Sequence, residues 1–263
     1  MFTKQFHFDS HPFEEYISHK HILRDERFIQ ATNRLDFFKQ SGQVALLTGP
    51  TGVGKSLLLD CFLETLPPHR YQTLRPPISS VESPAMFRMI VTGLGEPPSV
   101  GKDRLFRQII NKAHTSGRTI LIVIDDAHLL GEKTFIDLRL LLSARTKNIQ
   151  PIKLLLCGQS DLSKQLTRSS LADLLNRVNV RSSLRGLNRD QTINYINHRL
   201  KCSGGSEELF DEQAKTLIHE HTGGVPRGIN NLATTCLIHA TSKEIKQITT
   251  AMVLEAAGEL RLI

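Results

Sequence analysis

The sequence contains no tryptophan, and aromatic residues make up only 6% of its 263 positions. A core built from it must therefore rely on aliphatic side chains. No apolar run approaches the roughly 20 residues that a membrane-spanning helix requires. The first residues, Met-Phe-Thr-Lys-Gln-Phe-His-Phe-Asp, lack the apolar region of a secretory signal. We therefore expect a cytoplasmic protein with no membrane partner.

Cysteine is also scarce, and the residues of this type are Cys61, Cys157, Cys202 and Cys236. They lie far apart, and none belongs to a CxxC or CxxxC pair. This spacing argues against a structural zinc site and against a disulfide framework. It favours reduced thiols in a reducing compartment.

Acidic residues are outnumbered by basic ones, 26 to 33, so the formal net charge is +7. Such an excess is typical of proteins that bind a polyanion, most simply nucleic acid. It also occurs in proteins that are merely basic. Charge alone leaves both interpretations open.

The most informative motif is Gly49-Pro-Thr-Gly-Val-Gly-Lys-Ser56, which matches G-x-x-x-x-G-K-[ST] at every fixed position. An apolar run at residues 44–47 precedes it and a helical pattern follows it, which is the order of a phosphate-binding loop. In such loops the backbone N–H groups and the lysine bind phosphates, while the serine hydroxyl ligates Mg²⁺. The alternative is an ordinary glycine-rich turn. We predict ATP and Mg²⁺ as ligands, bound by Gly49, Pro50, Thr51, Gly52, Val53, Gly54, Lys55 and Ser56.

Two carboxylates follow a second apolar run, Thr119-Ile-Leu-Ile-Val-Ile124. They lie at the carboxyl edge, where parallel sheets place their ligands. Asp125 is predicted to hold Mg²⁺ together with Ser56, and Asp126 to orient or deprotonate the attacking water. On its own, an apolar strand that ends in two aspartates is often only structural.

A third predicted strand, at residues 152–157, is followed by Gln159 and Ser160. If this strand lies beside the other two, either side chain can contact the γ-phosphate or the water. The alternative is that these residues only begin a turn.

The remaining pattern predicts an α/β fold in two parts. Residues 171–181 are expected to be helical and basic, and beyond Gly186 only helices follow. The first of these opens with a capping box at Asn188 and Gln191. The predicted fold class is a P-loop NTPase with a parallel-sheet α/β subdomain and a small all-helical C-terminal lid. The expected domains are an N-terminal segment packing on the ATPase core at 1–24, the α/β subdomain at 25–185, and the lid at 186–263.

These features together resemble the AAA+ ATPases. Within that class, the sequence is similar to the ExeA subgroup, which also includes TnsC and TniB, the ATPase regulators of bacterial transposons. The resemblance extends over nearly the whole chain. Beyond the two nucleotide motifs, it depends on residues 11–13, 156–162, 195–200 and 222–230.

The resemblance assigns roles to polar residues outside the phosphate loop. Gln159 takes the place of a polar sensor, and Arg227 that of an arginine reaching the γ-phosphate from the lid of the same subunit. Arg177, for which we expect no use within its own chain, takes the place of an arginine finger acting on the neighbouring subunit. Arg181 competes for that role. The predicted catalytic residues are Lys55, Asp125, Asp126, Gln159, Arg177 and Arg227.

One departure from the family concerns the water-positioning residue. The family usually carries Asp-Glu-Ala-Gln where this chain has Asp125-Asp-Ala-His128. Aspartate is one methylene shorter than glutamate, so Asp126 should lie further from the water. We therefore expect tight Mg²⁺–ATP binding with slow turnover.

The resemblance and the basic charge favour a regulator of transposition. Such a protein would form rings or filaments with ATP on double-stranded DNA, without sequence preference. It would recruit or activate a transposase together with a target-selecting adaptor protein. The alternatives are an ATPase that remodels proteins in secretion or envelope assembly, and a nucleotide-binding scaffold that hydrolyses ATP slowly. The candidate DNA contacts are Arg70, Arg75, Lys102, Arg104 and Arg118.

Overall fold

The structure is a computed structural model that describes residues 2–77, 82–143 and 152–260. It divides into two compact units. The helical unit comprises Met1–Arg27, Gly52–Gly54 and Arg185–Ile263, and the sheet unit comprises Phe28–Thr51 and Lys55–Leu184.

The sheet unit is built on five parallel strands in the order β2-β3-β4-β1-β5. The strands are β1 (Val44–Thr48), β2 (Tyr71–Leu74), β3 (Thr119–Ile124), β4 (Ile152–Gly158) and β5 (Val178–Ser183). Every residue of β1 and β4 is buried, because these strands lie inside the sheet and both of their faces are covered. This arrangement confirms the predicted parallel-sheet P-loop NTPase fold.

The helices in chain order are α1 (Phe2–Gln5), α2 (Glu26–Gln40), α3 (Lys55–Glu64), α4 (Ser83–Gly93), α5 (Lys102–Thr115), α6 (Glu132–Leu142), α7 (Asp161–Leu166), α8 (Ala172–Leu175), α9 (Arg189–Cys202), α10 (Glu212–Thr222), α11 (Pro226–Ser242) and α12 (Thr250–Glu259). Single 3-10 turns lie at His19–His21, Ala127–Leu129, Ser169–Leu171 and Glu207–Leu209. Among the described residues, no helix is long and apolar enough to cross a membrane.

Strand β5 corrects the expectation of a helix over residues 171–181. Only residues before it are helical, and Val178–Ser183 pairs with β1 at the edge of the sheet. Its burial alternates along the strand, with Val180 and Ser182 buried and Arg181 exposed. An edge strand that is covered on one face needs few apolar residues, so its sequence carries a weak strand signal.

The helical unit forms its own core from α9, α10, α11 and α12. The predicted capping box is confirmed: the Asn188 side chain accepts from the backbone N–H of Gln191, and the Gln191 side chain accepts from that of Asn188. The N-terminal segment was expected to pack on the ATPase core. In the structure, its buried rings, Phe8 and Phe13, belong to the core of the helical unit.

An arginine tethers that N-terminal segment. Arg199 of α9 donates to the carbonyl oxygens of Pro12 and Glu14, each at 2.6 Å. On the same helix, the Tyr195 hydroxyl donates to Asn230 Oδ1 at 3.0 Å. Three of the segments that carry the family resemblance therefore meet in this unit.

Candidate functional site

The phosphate loop connects β1 to α3, which begins at Lys55. Two of its glycines have left-handed backbones, with φ of +78° at Gly52 and +102° at Gly54. Side chains rarely adopt this conformation. At Gly52 the packing is also close, because an added Cβ would lie 2.6 Å from the Cβ of Arg227. The loop therefore needs glycine at both positions.

Lys55 is a buried cation at the start of α3. Its Nζ donates to the carbonyl oxygens of Gly49 and Pro50, both at 2.9 Å. Within the described part of the chain, its ammonium forms no ion pair. A buried ammonium compensated only by neutral carbonyls favours an anionic ligand, so this observation fits a nucleotide phosphate.

The predicted metal ligands lie together at the carboxyl edge of the sheet. Ser56 Oγ is 3.3 Å from Asp125 Oδ2. A hydroxyl and a carboxylate are hard oxygen ligands of the kind that Mg²⁺ takes in phosphate sites, where water and substrate complete the shell. Across the described ranges, no group of three or more His, Cys, Asp or Glu side chains is placed to hold a metal ion. The pair Ser56 and Asp125 thus fits a Mg²⁺ that is shared with phosphates.

Arg75 belongs to this site, although the sequence suggested it as a DNA contact. It follows β2 directly, and its guanidinium bridges Asp125 Oδ2 at 2.5 Å and Asp60 Oδ1 at 2.6 Å. Burial acts to raise the pKa of the Asp125 carboxyl, but hydrogen bonds from Arg75 and the Cys157 thiol outweigh it and lower that pKa. The carboxylate is therefore ionised and already neutralised by a guanidinium.

Cys157 was predicted only to be a reduced thiol, yet it also belongs to this site. This residue lies in β4, which pairs with β3, and its thiol donates to Asp125. Burial, together with the Asp125 charge, raises the pKa of the Cys157 thiol well above its usual value. The positions of Cys157 and Arg75 at strand ends next to β3 were the available signals, because parallel strands bring their carboxyl ends together.

Asp126 has a left-handed backbone with φ of 50°. Aspartate tolerates this conformation better than most residues. Its side chain is 59% exposed, and its Oδ1 lies 4.0 Å from His128 Nδ1. The backbone N–H of Gln159 points at the same His128 nitrogen at 3.4 Å. The carboxylate is therefore open to water, while Gln159 is brought to the same edge of the sheet.

Arg177 has contacts within its own chain, so the expectation that it has none is wrong. Its guanidinium donates to Gln43 Oε1 at 3.0 Å and to the Ser143 hydroxyl at 3.3 Å. It precedes β5, at the end of the strand opposite to the carboxyl edge. The competing residue, Arg181, is exposed, and its guanidinium has no hydrogen-bond partner among the residues that the structure describes.

Arg227 lies in the first turn of α11, in the helical unit. Its Nη2 donates to Glu15 Oε1 at 3.1 Å, and its backbone N–H donates to the Gly52 carbonyl at 3.2 Å. The guanidinium is about half exposed, so Glu15 holds it only weakly.

The other suggested DNA contacts differ in their surroundings. Arg70 and Arg104 are exposed. Lys102 instead pairs with the buried Asp137 at 2.6 Å. Arg118 donates to Gln72 Oε1 at 2.9 Å, which leaves it partly occupied.

Known proteins resemble this chain in sequence and in fold. A family model described as an AAA domain matches residues 39–166. The General secretion pathway protein A of Aeromonas hydrophila is 25% identical over an alignment of 271 residues that covers 99% of this chain and 48% of that protein. The chain thus spans about half the length of this curated relative.

Solved structures share the fold at low identity. Cdc6p from Pyrobaculum aerophilum has a TM-score of 0.70 at 18% identity, over 90% of this chain and 67% of that chain. The Drosophila ORC bound to DNA has a TM-score of 0.70 at 17% identity, over 95% of this chain and 64% of that chain. The Thermotoga maritima RuvB branch migration motor has a TM-score of 0.59 at 18% identity, over 95% of this chain and 73% of that chain. Together with the AAA domain match, these neighbours agree with the α/β P-loop NTPase fold.

Proposed function

We propose that this protein binds Mg²⁺–ATP at the phosphate loop and hydrolyses it slowly to ADP and phosphate. The observation that supports this most strongly is the convergence at one edge of the sheet. Lys55, which is buried and has no ion pair among the described residues, meets the Ser56 hydroxyl and the Asp125 carboxylate there, with Asp126 open to water.

In this proposal each side chain has a defined task. Lys55 exchanges its two loop carbonyls for phosphate oxygens, and Ser56 and Asp125 hold Mg²⁺. When bound, the ion neutralises negative charge on the phosphate oxygens. Asp126 accepts a hydrogen bond from the attacking water and thereby orients it. Arg75 must release Asp125 before that carboxylate can ligate the ion.

The first experiment measures nucleotide affinity. Lys55→Ala should weaken binding of a fluorescent ATP analogue by about tenfold or more, since charge-assisted hydrogen bonds to phosphate are lost. Lys164→Ala is the matched control, because that lysine is exposed on α7 of the same unit. Equal affinity in wild type and Lys55→Ala would contradict the proposal.

We further propose that the protein acts on double-stranded DNA as a regulator of transposition. With ATP it would assemble into rings or filaments, to which Arg177 contributes in trans, and it would recruit a transposase together with a target-selecting adaptor. Support comes from the net charge of +7 and the sequence resemblance described above. A neighbour of similar fold, the Drosophila ORC, is bound to DNA.

Fluorescence anisotropy with random-sequence duplex tests the DNA proposal. Phosphate contacts release counterions, so log affinity should fall with log salt by about 0.9 per contact. Arg70→Gln and Arg104→Gln should each weaken binding and reduce that slope. A DNA affinity that does not change with salt concentration, or that a non-hydrolysable ATP analogue leaves unchanged, would refute ATP-dependent assembly on DNA.

A second candidate function has its own support. The curated relative is named for a general secretion pathway, which favours nucleotide-driven remodelling of protein partners. In that case the chain would hydrolyse ATP without any response to DNA. Steady-state hydrolysis measured with and without duplex separates the two functions.

A further inference from the structure

A polar cleft lies in the sheet unit, apart from the residues assigned to nucleotide binding. Its volume is about 300 Å³. Arg34 of α2 and Arg181 of β5 line it, with five hydroxyl side chains that include Thr48 and Ser183. Ser160, which the sequence placed near the γ-phosphate, lines this cleft as well.

Strand register explains how the lining is assembled. In the pairing of β1 with β5, Leu46 aligns with Arg181 and Thr48 aligns with Ser183. Side chains alternate along a strand, so these four lie on one face of the sheet. Arg34 reaches the same place from α2, because its Nη1 donates to the Arg181 carbonyl oxygen at 2.8 Å.

The cleft has an excess of unused hydrogen-bond donors. The Arg181 guanidinium and the five hydroxyls make no hydrogen bond within the part of the chain that the structure describes. No acidic side chain is among the lining residues. Two guanidinium groups at one cleft repel each other unless an anion lies between them. Planar guanidinium forks and hydroxyls are the groups that bind phosphoryl oxygens.

We propose that this cleft binds a phosphoryl group, either as inorganic phosphate or on a small phosphate monoester. The volume is at the lower end of the range for small-molecule sites, about 300–1,000 Å³, which suits a sugar phosphate. Thr48 is only 6% exposed, so its hydroxyl is reached by a group that enters the cleft. That recession disfavours the backbone of a rigid duplex as the ligand.

Ligand-detected NMR with inorganic phosphate and with ribose 5-phosphate tests the proposal. Both probes should bind saturably, and stronger binding of the sugar phosphate would assign the site to a monoester rather than to free phosphate. Arg181→Gln should weaken the affinity by about tenfold or more, with a smaller loss for Arg181→Lys, which keeps the charge. Arg104→Gln, an exposed arginine of α5 in the same unit, should have no effect.

Lys55→Ala separates this cleft from the phosphate loop, since probe affinity should persist in that variant whether or not the chain binds ATP. Several results would overturn the proposal: no saturable binding, loss of binding in Lys55→Ala alone, or equal affinity in Arg181→Gln. Displacement of the probes by random duplex, with the same loss of DNA affinity in Arg181→Gln, would instead make the cleft a nucleic-acid contact.

Discussion

Arg75 and Mg²⁺ compete for one carboxylate, and this competition gives a prediction whose sign is fixed by the structure. The guanidinium lies 2.5 Å from Asp125 Oδ2, the oxygen that also faces the Ser56 hydroxyl. Replacing Arg75 with Gln removes the competing hydrogen bond and a positive charge near the metal position. Both changes favour the ion, so the Mg²⁺ concentration needed for nucleotide binding should fall.

The magnitude follows from the exposure of the pair. The Arg75 and Asp125 side chains are 35% and 23% exposed, so solvent screens their attraction. A partly exposed ion pair of this kind contributes about 1 kcal/mol, which corresponds to about a fivefold change in the half-saturating Mg²⁺ concentration.

A substitution at Asp60 should change the Mg²⁺ requirement in the opposite direction. It holds the other end of the Arg75 guanidinium at 2.6 Å. Asp60→Asn frees Arg75 to bind Asp125 more tightly, so the Mg²⁺ requirement should rise by about twofold.

The assay titrates Mg²⁺ against each variant with a fluorescent ATP analogue, and Mn²⁺ electron paramagnetic resonance counts the bound ions directly. Arg104→Gln controls for the loss of one positive charge in the sheet unit. If Arg75→Gln raises the Mg²⁺ requirement, Arg75 assists the ion or the phosphates instead of competing, and the reasoning is refuted.

Three further variants concern the backbone of Asp126, the buried Lys153 and the Arg199 tether. Asp126→Glu should speed steady-state hydrolysis by up to about 10²-fold, the factor that a 1 Å misplacement costs. Because residue 126 has a left-handed backbone, which glutamate tolerates less well than aspartate, the same substitution should lower the free energy of unfolding by up to about 1 kcal/mol. Slower hydrolysis by the variant would show that the site is built around aspartate. Burial lowers the pKa of Lys153 from 10.5 to about 8. Between these two pH values the unfolded chain binds more protons than the folded chain, so the free energy of unfolding rises with pH. Urea unfolding should show that wild type gains about 2 kcal/mol relative to Lys153→Met from about pH 7.5 to about 9.5. No gain would contradict the lowered pKa of Lys153. Arg199→Met should destabilise the helical unit by about 2 kcal/mol and speed proteolysis near Pro12 and Glu14, whose carbonyls lose their donor; unchanged proteolysis would show that the tether is dispensable.

The buried strands were predictable because aliphatic residues dominate their sequences. The predicted strands at 44–47, 119–124 and 152–157 agree with β1, β3 and β4 to within a residue. Strand β5 was not predictable in the same way. It is buried on one face only, and the exposed residues Asn179 and Arg181 interrupt the apolar pattern. The pairing of β5 with β1 is a long-range property that no local window contains.

The site shows the same division. A local motif fixes Lys55 and Ser56, and a strand end fixes Asp125, so the sequence predicts all three. The roles of Arg75 and Arg177 depend on which side chains the fold brings near them. Arg75 meets Asp60 and Asp125 from separate elements, while Arg177 meets Gln43 and Ser143. The number of basic residues in the sequence does not distinguish an arginine that pairs with buried or site residues from one that is free to contact DNA.

The strand order has a consequence for how the chain is made. Strand β1 is wholly buried, yet both of its partners, β4 and β5, follow it by roughly 100 residues or more. During synthesis, Val44–Thr48 therefore leaves the ribosome as an apolar segment with two unpaired edges. It keeps them until nearly the whole sheet unit has emerged. Truncation before Val178 would leave one edge permanently open, and such edges are templates for aggregation. Soluble expression of fragments should accordingly begin only with chains that include β5.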